Sequence, residues 1–151
     1  MTNPSENTIY FYSMTDEYPE FSNFAPYGVE FDDRWWPTVE HYYQAMKFHE
    51  DDYRERIRNC GKPEDAKAYG NTRQIPMRSD WEKIKYQTML DAVRYKFKTH
   101  EHPRNILLST GQAHLAENSP VDGYWGVGPD GNGLNRLGQI LMKIREELQD
   151  S

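Results

Sequence analysis

Six helical stretches punctuate the 151 residues and leave strands only the gaps between them. Pro37-Thr38 opens a first stretch that Thr38 can cap and that runs to about Phe48. Asp51 to Asn59 follows, ending near Gly61-Lys62-Pro63, and Pro63 suits the first turn of a third stretch that stops at Gly70. Ser79-Asp80-Trp81-Glu82 has the S-x-x-E form of a capping box and starts the longest helix, to about Lys98, with Ile84, Thr88, Ala92 and Tyr95 at helical spacing. Pro103 opens another, closed by Gly111. Leu134 to Leu148 carries Leu137, Ile140, Leu141 and Ile144 on one stripe. Strand signals are confined to Thr8–Ser13, rich in aromatic and β-branched residues, and to Val29–Trp36 with a turn at Asp32-Asp33. These predict a mainly α domain with a short N-terminal antiparallel β element. Residues 112–133 read as irregular. Residues 1–7 read as a disordered lead-in and 8–151 as one domain, with no repeat or linker.

A chain of this length buries roughly two-thirds of its unfolded surface and needs no disulfide or metal to fold. Its hydrophobic fraction, 36%, is low, but eleven Tyr, six Phe and four Trp can fill a core short of aliphatic side chains. The net charge of −6 argues against a broad, non-specific nucleic-acid footprint and leaves room for a local basic pocket. One cysteine, Cys60, excludes an internal disulfide and a multi-cysteine zinc site. No apolar run is long enough to span a membrane, and Met1–Asn7 lacks the apolar core of a signal peptide. The expectation is a soluble cytoplasmic protein.

On the helix after Pro37, Glu40, Tyr43, Gln44 and Lys47 share a face. They could line a binding cleft, or form a solvated face with an i, i+4 pair. The loop from Asp122 contains Gly126-x-Gly128-x-x-Gly131. No buried strand precedes it and too little chain follows it for a dinucleotide-binding unit. Its glycines could bring backbone close to a ligand, and the loop runs into a helix N-terminus that could receive an anion; the alternative is a long turn using glycine for positive φ. Asp130-x-Asn132 fails as a calcium loop because Leu134 stands at the third ligand position, and His49-Glu50 lacks the second His of a zinc-protease motif. Arg73 and Arg78 flank Pro76 and could hold a phosphate or simply be surface charges. Trp81 could stack on a flat ring or pack in the core.

Taken together, Phe21-Ser-Asn23-Phe24, then Trp36-Pro-Thr-Val-Glu40-His-Tyr-Tyr-Gln44-Ala-Met-Lys47-Phe48, resemble the signature of the YbiA-like or NADAR family. Gly70 with Arg73 and Arg78, Trp81, Asp122-Gly-Tyr-Trp125-Gly126, and Gly131-x-Gly133-x-Asn135-x-Leu137-Gly138 agree in order, so the resemblance spans about residues 10–145. It implies an N-glycosidase that cleaves between an anomeric ribose carbon and an amino nitrogen. The substrate would be a phosphoribosylamino-pyrimidine intermediate of riboflavin synthesis or ADP-ribosylated guanine, free or within nucleic acid. The family's catalytic Glu, Trp and Asp would fall on Glu40, Trp81 and Asp122. Lys47, Arg73 and Arg78 would be phosphate contacts, Asn23 a contact to a ribose hydroxyl or base, and Trp36, Gln44, Trp125 and Gly126 further substrate contacts. No metal or redox cofactor is required, and no membrane partner is expected. The alternative in another class is a module that binds NAD or ADP-ribose without turnover.

Overall fold

Asp32 and Asp33 both adopt positive φ, 56° and 60°, and this two-residue turn folds β2 (Val29–Phe31) onto β3 (Arg34–Trp36) as an antiparallel hairpin. The computed structural model describes residues 7–151, so the expectation for the lead-in lies, apart from Asn7, outside the described residues. Residues 23–96 form one compact unit; described residues up to 22, together with 97–151, form a second.

In the unit of residues 23–96 the hairpin leads into α1 (Val39–Ala45), α2 (Asp51–Arg58), α3 (Pro63–Gly70) and most of α4 (Trp81–Thr99). Val29, Trp36, Val39, Ala45, Phe48, Ile57, Ala66 and Ala92 are fully enclosed. Arg34 bridges Asp51 at 2.9 Å and Glu55 at 2.8 Å, and Arg58 donates to Glu55 and to the Trp35 carbonyl, which ties the hairpin to α2. Hydrogen bonds from Arg58 and Arg34 pull the Glu55 carboxyl down to about 2. Thr38 caps α1 as its position predicts, accepting from the His41 amide at 3.1 Å. The buried His41 ring continues this anchor. Its Nε2–H donates to the Cys60 carbonyl, so the neutral ring accepts the Thr38 hydroxyl proton at Nδ1. The helix after the S-x-x-E signal begins one residue late. Asp80 flanks it, accepting from the Lys83 and Ile84 amides through its carbonyl. Its buried face is carried by Trp81, Met89, Leu90, Ala92 and Val93, so Ala92 alone of the expected stripe is buried.

In the second unit β1 (Thr8–Phe11) pairs in parallel with β4 (His114–Glu117). This corrects two expectations. The N-terminal strand is not part of the antiparallel element, and residues 114–117, read as irregular, form a strand. A parallel pair needs a long crossover, which sequence adjacency cannot reveal. His-Leu-Ala-Glu also lacks β-branched residues. Asn135 serves β4's backbone with its side-chain amide, donating to the Leu115 carbonyl and accepting from the Glu117 amide. α5 (Glu101–Ser109) and α6 (Arg136–Gln149) complete the unit, with Leu137, Ile140, Leu141 and Ile144 fully buried as their spacing predicts. No helix among the described residues is long and apolar enough to cross a membrane.

Candidate active site

The polar face formed by α1 and the turn that follows it is enclosed. Glu40, Tyr43, Gln44 and Lys47 are all buried, at 7%, 7%, 4% and 9% exposure, which excludes the solvated-face alternative. Among the described residues Glu40 is the one buried carboxyl. A buried ionised carboxylate is costly unless it is hydrogen-bonded or paired. Gln44, one turn later, supplies the bond, its Nε2 donating to Glu40 Oε2 at 2.6 Å. Burial pushes the Glu40 carboxyl above the usual carboxylate range; the Gln44 bond and the charges of Lys67 and Lys47 pull it partly back. The Glu40 amide donates to the Asn23 carbonyl, which fixes the start of α1 against residue 23.

Lys47 reaches the end of α3, with its ammonium 3.4 Å from both the Gly70 carbonyl and Asn71 Oδ1. A cation there complements the helix C-terminus. Burial lowers its pKa while Glu40 raises it. Its ammonium also lies 5.9 Å from the Tyr43 ring, and Tyr43 meets Trp81 edge-on at 5.1 Å between centroids. One unit therefore brings together Glu40, Tyr43, Gln44, Lys47 and Trp81. Asn23 is half-buried, its Nδ2 against Met89 Sδ at 3.5 Å. Trp36 is fully enclosed and its indole donates to the Phe31 carbonyl, so it meets no solvent. Arg78 forks onto Asp80, and its amide donates to the Lys47 carbonyl at 2.7 Å. Arg73 is exposed.

Gly70 is required by this packing. A Cβ built there would overlap Gln44 Oε1 and lie 2.9 Å from the Gln44 Cβ. The sequence marks Gly70 only as a helix stop; its close approach to Gln44 leaves no local signal. Gly70→Ala is expected to cost about 1–3 kcal/mol of stability through overpacking. It should also lower activity by displacing Gln44 from Glu40. Thermal unfolding and turnover measure the two effects, and Gln44→Ala in the same chain should restore stability but not activity. Unchanged melting of Gly70→Ala would refute the contact.

In the second unit Asp122 is half-buried. Its Oδ1 accepts from the Tyr124 and Trp125 amides, both at 2.9 Å, and its own amide donates to Ser119 Oγ. Trp125 is 9% exposed and edge-on to Tyr124. Gly126 is buried, and a Cβ there would lie 2.7 Å from the Glu117 carbonyl. The glycines of this loop serve its own folding. Gly128 and Gly131 take positive φ, and a Cβ on Gly133 would lie 2.7 and 2.8 Å from the backbone of Val127 and Gly123. The start of α6 is not open to an anion either, since the Arg136 and Leu137 amides already donate to the Tyr124 and Trp125 carbonyls. This unit also has an open cavity of about 480 Å³ lined by Thr8, Tyr10, His114, Ala116, Asn118, Val127 and Gly131. No carboxylate lines it, and its acid–base side chain is His114 rather than one of the candidate carboxyls.

The NADAR domain family model matches residues 10–149. The chain is 46% identical to "N-glycosidase YbiA" of Escherichia coli (strain K12) over 143 residues, covering 95% of this chain and 89% of that protein. It is 43% identical over 157 residues to the "Riboflavin biosynthesis protein PYRR, chloroplastic" of Zea mays, covering 94% of this chain and 25% of that longer protein. The NMR structure of the E. coli protein YbiA superposes with a TM-score of 0.86 at 46% identity, covering 95% of this chain and 86% of that one.

Proposed function

Because the chain belongs to the NADAR domain family, we propose that it is an N-glycosidase, a hydrolase of N-glycosyl bonds, with Glu40 as a catalytic carboxyl. Its substrate is a phosphoribosylamino-pyrimidine intermediate of riboflavin synthesis, the class the family resemblance implies; the name of the Zea mays relative supports this only as far as riboflavin biosynthesis. The single observation that supports the assignment to Glu40 is its buried carboxyl, bonded by Gln44 and enclosed with Tyr43 and Lys47, where burial pushes its pKa up.

Cleavage builds positive charge on the ribose ring as the bond to nitrogen stretches. Water adds to the anomeric carbon and loses a proton, and the leaving nitrogen gains one. A carboxylate near the ring stabilises the charge and accepts the water proton; a carboxylic acid delivers a proton to nitrogen. Glu40 is assigned one of these jobs, and Asp122 is the separate candidate for the other, in either order. A carboxyl whose pKa is raised by burial suits proton transfer near neutral pH better than an exposed one. Trp81, edge-on to Tyr43, flanks the base or the ribose. Arg73, as the exposed cation of the three candidates, meets the phosphate; Arg78 and Lys47 hold the surrounding loop and helix end. A single cysteine fits a reducing cytoplasmic setting.

The test is turnover followed by mass spectrometry, with the phosphoribosylamino-pyrimidine and ADP-ribosyl-guanosine offered separately. Free amine and ribose 5-phosphate from the first, absent with Glu40→Gln, is the expected result. Product from the second substrate alone would move the assignment to removal of ADP-ribose from guanine. No product from either, with tight binding of ADP-ribose, would replace the enzyme with a sensing module.

A further inference from the structure

Among the described residues one buried side-chain oxygen or nitrogen has no hydrogen-bond partner, and it is Gln44 Oε1, on the residue that holds Glu40. An unpaired buried acceptor costs about 1–3 kcal/mol. The amide is 4% exposed and Gly70 closes over Oε1, so solvent does not relieve it. The other end of the same amide lies 2.6 Å from Glu40 Oε2. That separation is short for N–H···O and ordinary for O–H···O.

We propose that Gln44 is a positioning residue whose side-chain amide turns over to match the protonation state of Glu40, presenting N–H to the carboxylate and C=O to the carboxylic acid. The inference rests on Glu40 being the catalytic carboxyl. In either catalytic role Glu40 gains and loses one proton per turnover, so its neighbour must serve a charged acceptor and then a neutral donor. A glutamine can do both. Its terminal torsion is broad and roughly two-fold, and its oxygen and NH2 are close in size, so a half-turn needs no new space. With Oε1 unpartnered beside Gly70, Glu40 is the group that holds the amide in the orientation seen. Besides the Gln44 hydrogen bond, the charges acting on Glu40 are Lys47, two residues past the end of α1, and Lys67 on α3, with Lys67 and Lys85 of α4 in turn acting on Lys47. None of these can both donate to the carboxylate and accept from the acid.

Ligand-free full chain labelled at Glu Cδ and Gln Nε2 reports the coupling directly by NMR across pH. The Gln44 amide signals are expected to move with the same midpoint as the Glu40 carboxyl, and to be flat with pH in Glu40→Gln. Gln44→Met should shift the Glu40 titration, and the acid limb of the rate profile, to higher pH. It should lower kcat roughly 10–100-fold with KM little changed. Gln44 signals that ignore the Glu40 titration in the unmodified chain would overturn the proposal without any variant needing to fold. So would a Glu40 titration unmoved by Gln44→Met. Loss of the Glu40 assignment is read separately, as undiminished turnover by Glu40→Gln.

Discussion

Glu40→Gln is expected to lower kcat/KM by about 10²–10⁴-fold, the usual contribution of a positioned acid or base, and at the same time to make the protein more stable. Both effects come from one feature. The carboxyl is buried beside a single amide donor, and burial raises its pKa. In the unfolded chain Glu40 ionises in the ordinary carboxyl range, while in the folded chain it keeps its proton to higher pH. Between those two values the native state binds the extra proton, so stability falls as pH rises, and it levels off once Glu40 ionises in the fold as well. Below the ordinary range both states are protonated and the penalty is absent. Gln keeps an acceptor for Gln44 and removes the charge, so this loss disappears. At neutral pH the variant should gain about 1 kcal/mol, roughly 2–4 °C in Tm for a chain of this size. Thermal melts from pH 4 to 8, paired with single-turnover rates, measure both. An active variant would remove Glu40 from the chemistry. A variant that melts lower at pH 7 than the parent would show that the buried charge carries structural weight.

Asp122→Asn is expected to reduce kcat by about 100-fold or more with little change in stability. Its Oδ1 accepts two backbone amides, from Tyr124 and Trp125, and that turn shapes the loop. Asn retains this oxygen and loses only the charge. Asp122→Ala loses both, and should cost a further 1–2 kcal/mol or so, as removal of a comparable helix-capping side chain does. Comparing the two substitutions separates chemistry from turn formation. Wild-type rates in Asp122→Asn would make Asp122 a turn residue and leave Glu40 to act with another acid.

Local signals carried much of this fold. Thr38 caps α1, Asp32-Asp33 makes the hairpin turn, and the α6 stripe is buried where its spacing put it. These depend on residues within one or two turns of each other. The Glu40 face was legible as a face but not as a buried one. Its enclosure depends on α3 and on Trp81 coming from 23 to 41 residues further along the chain. Of the two alternatives for the Asp122 loop and the start of α6, an anion site or a long glycine turn, local order could not choose, because the carbonyls that take up the Arg136 and Leu137 amides come from Tyr124 and Trp125.

Helix positions and the hairpin were determined by the sequence itself, since capping, turn and spacing preferences act over a few residues; the candidate carboxyls came from the family resemblance of the motifs around them. The parallel pairing of β1 with β4, the raised pKa of Glu40 and the unpaired oxygen of Gln44 were decided only by tertiary structure. Each depends on which distant backbone displaces water from a given group, and desolvation leaves no mark on the local order of residues.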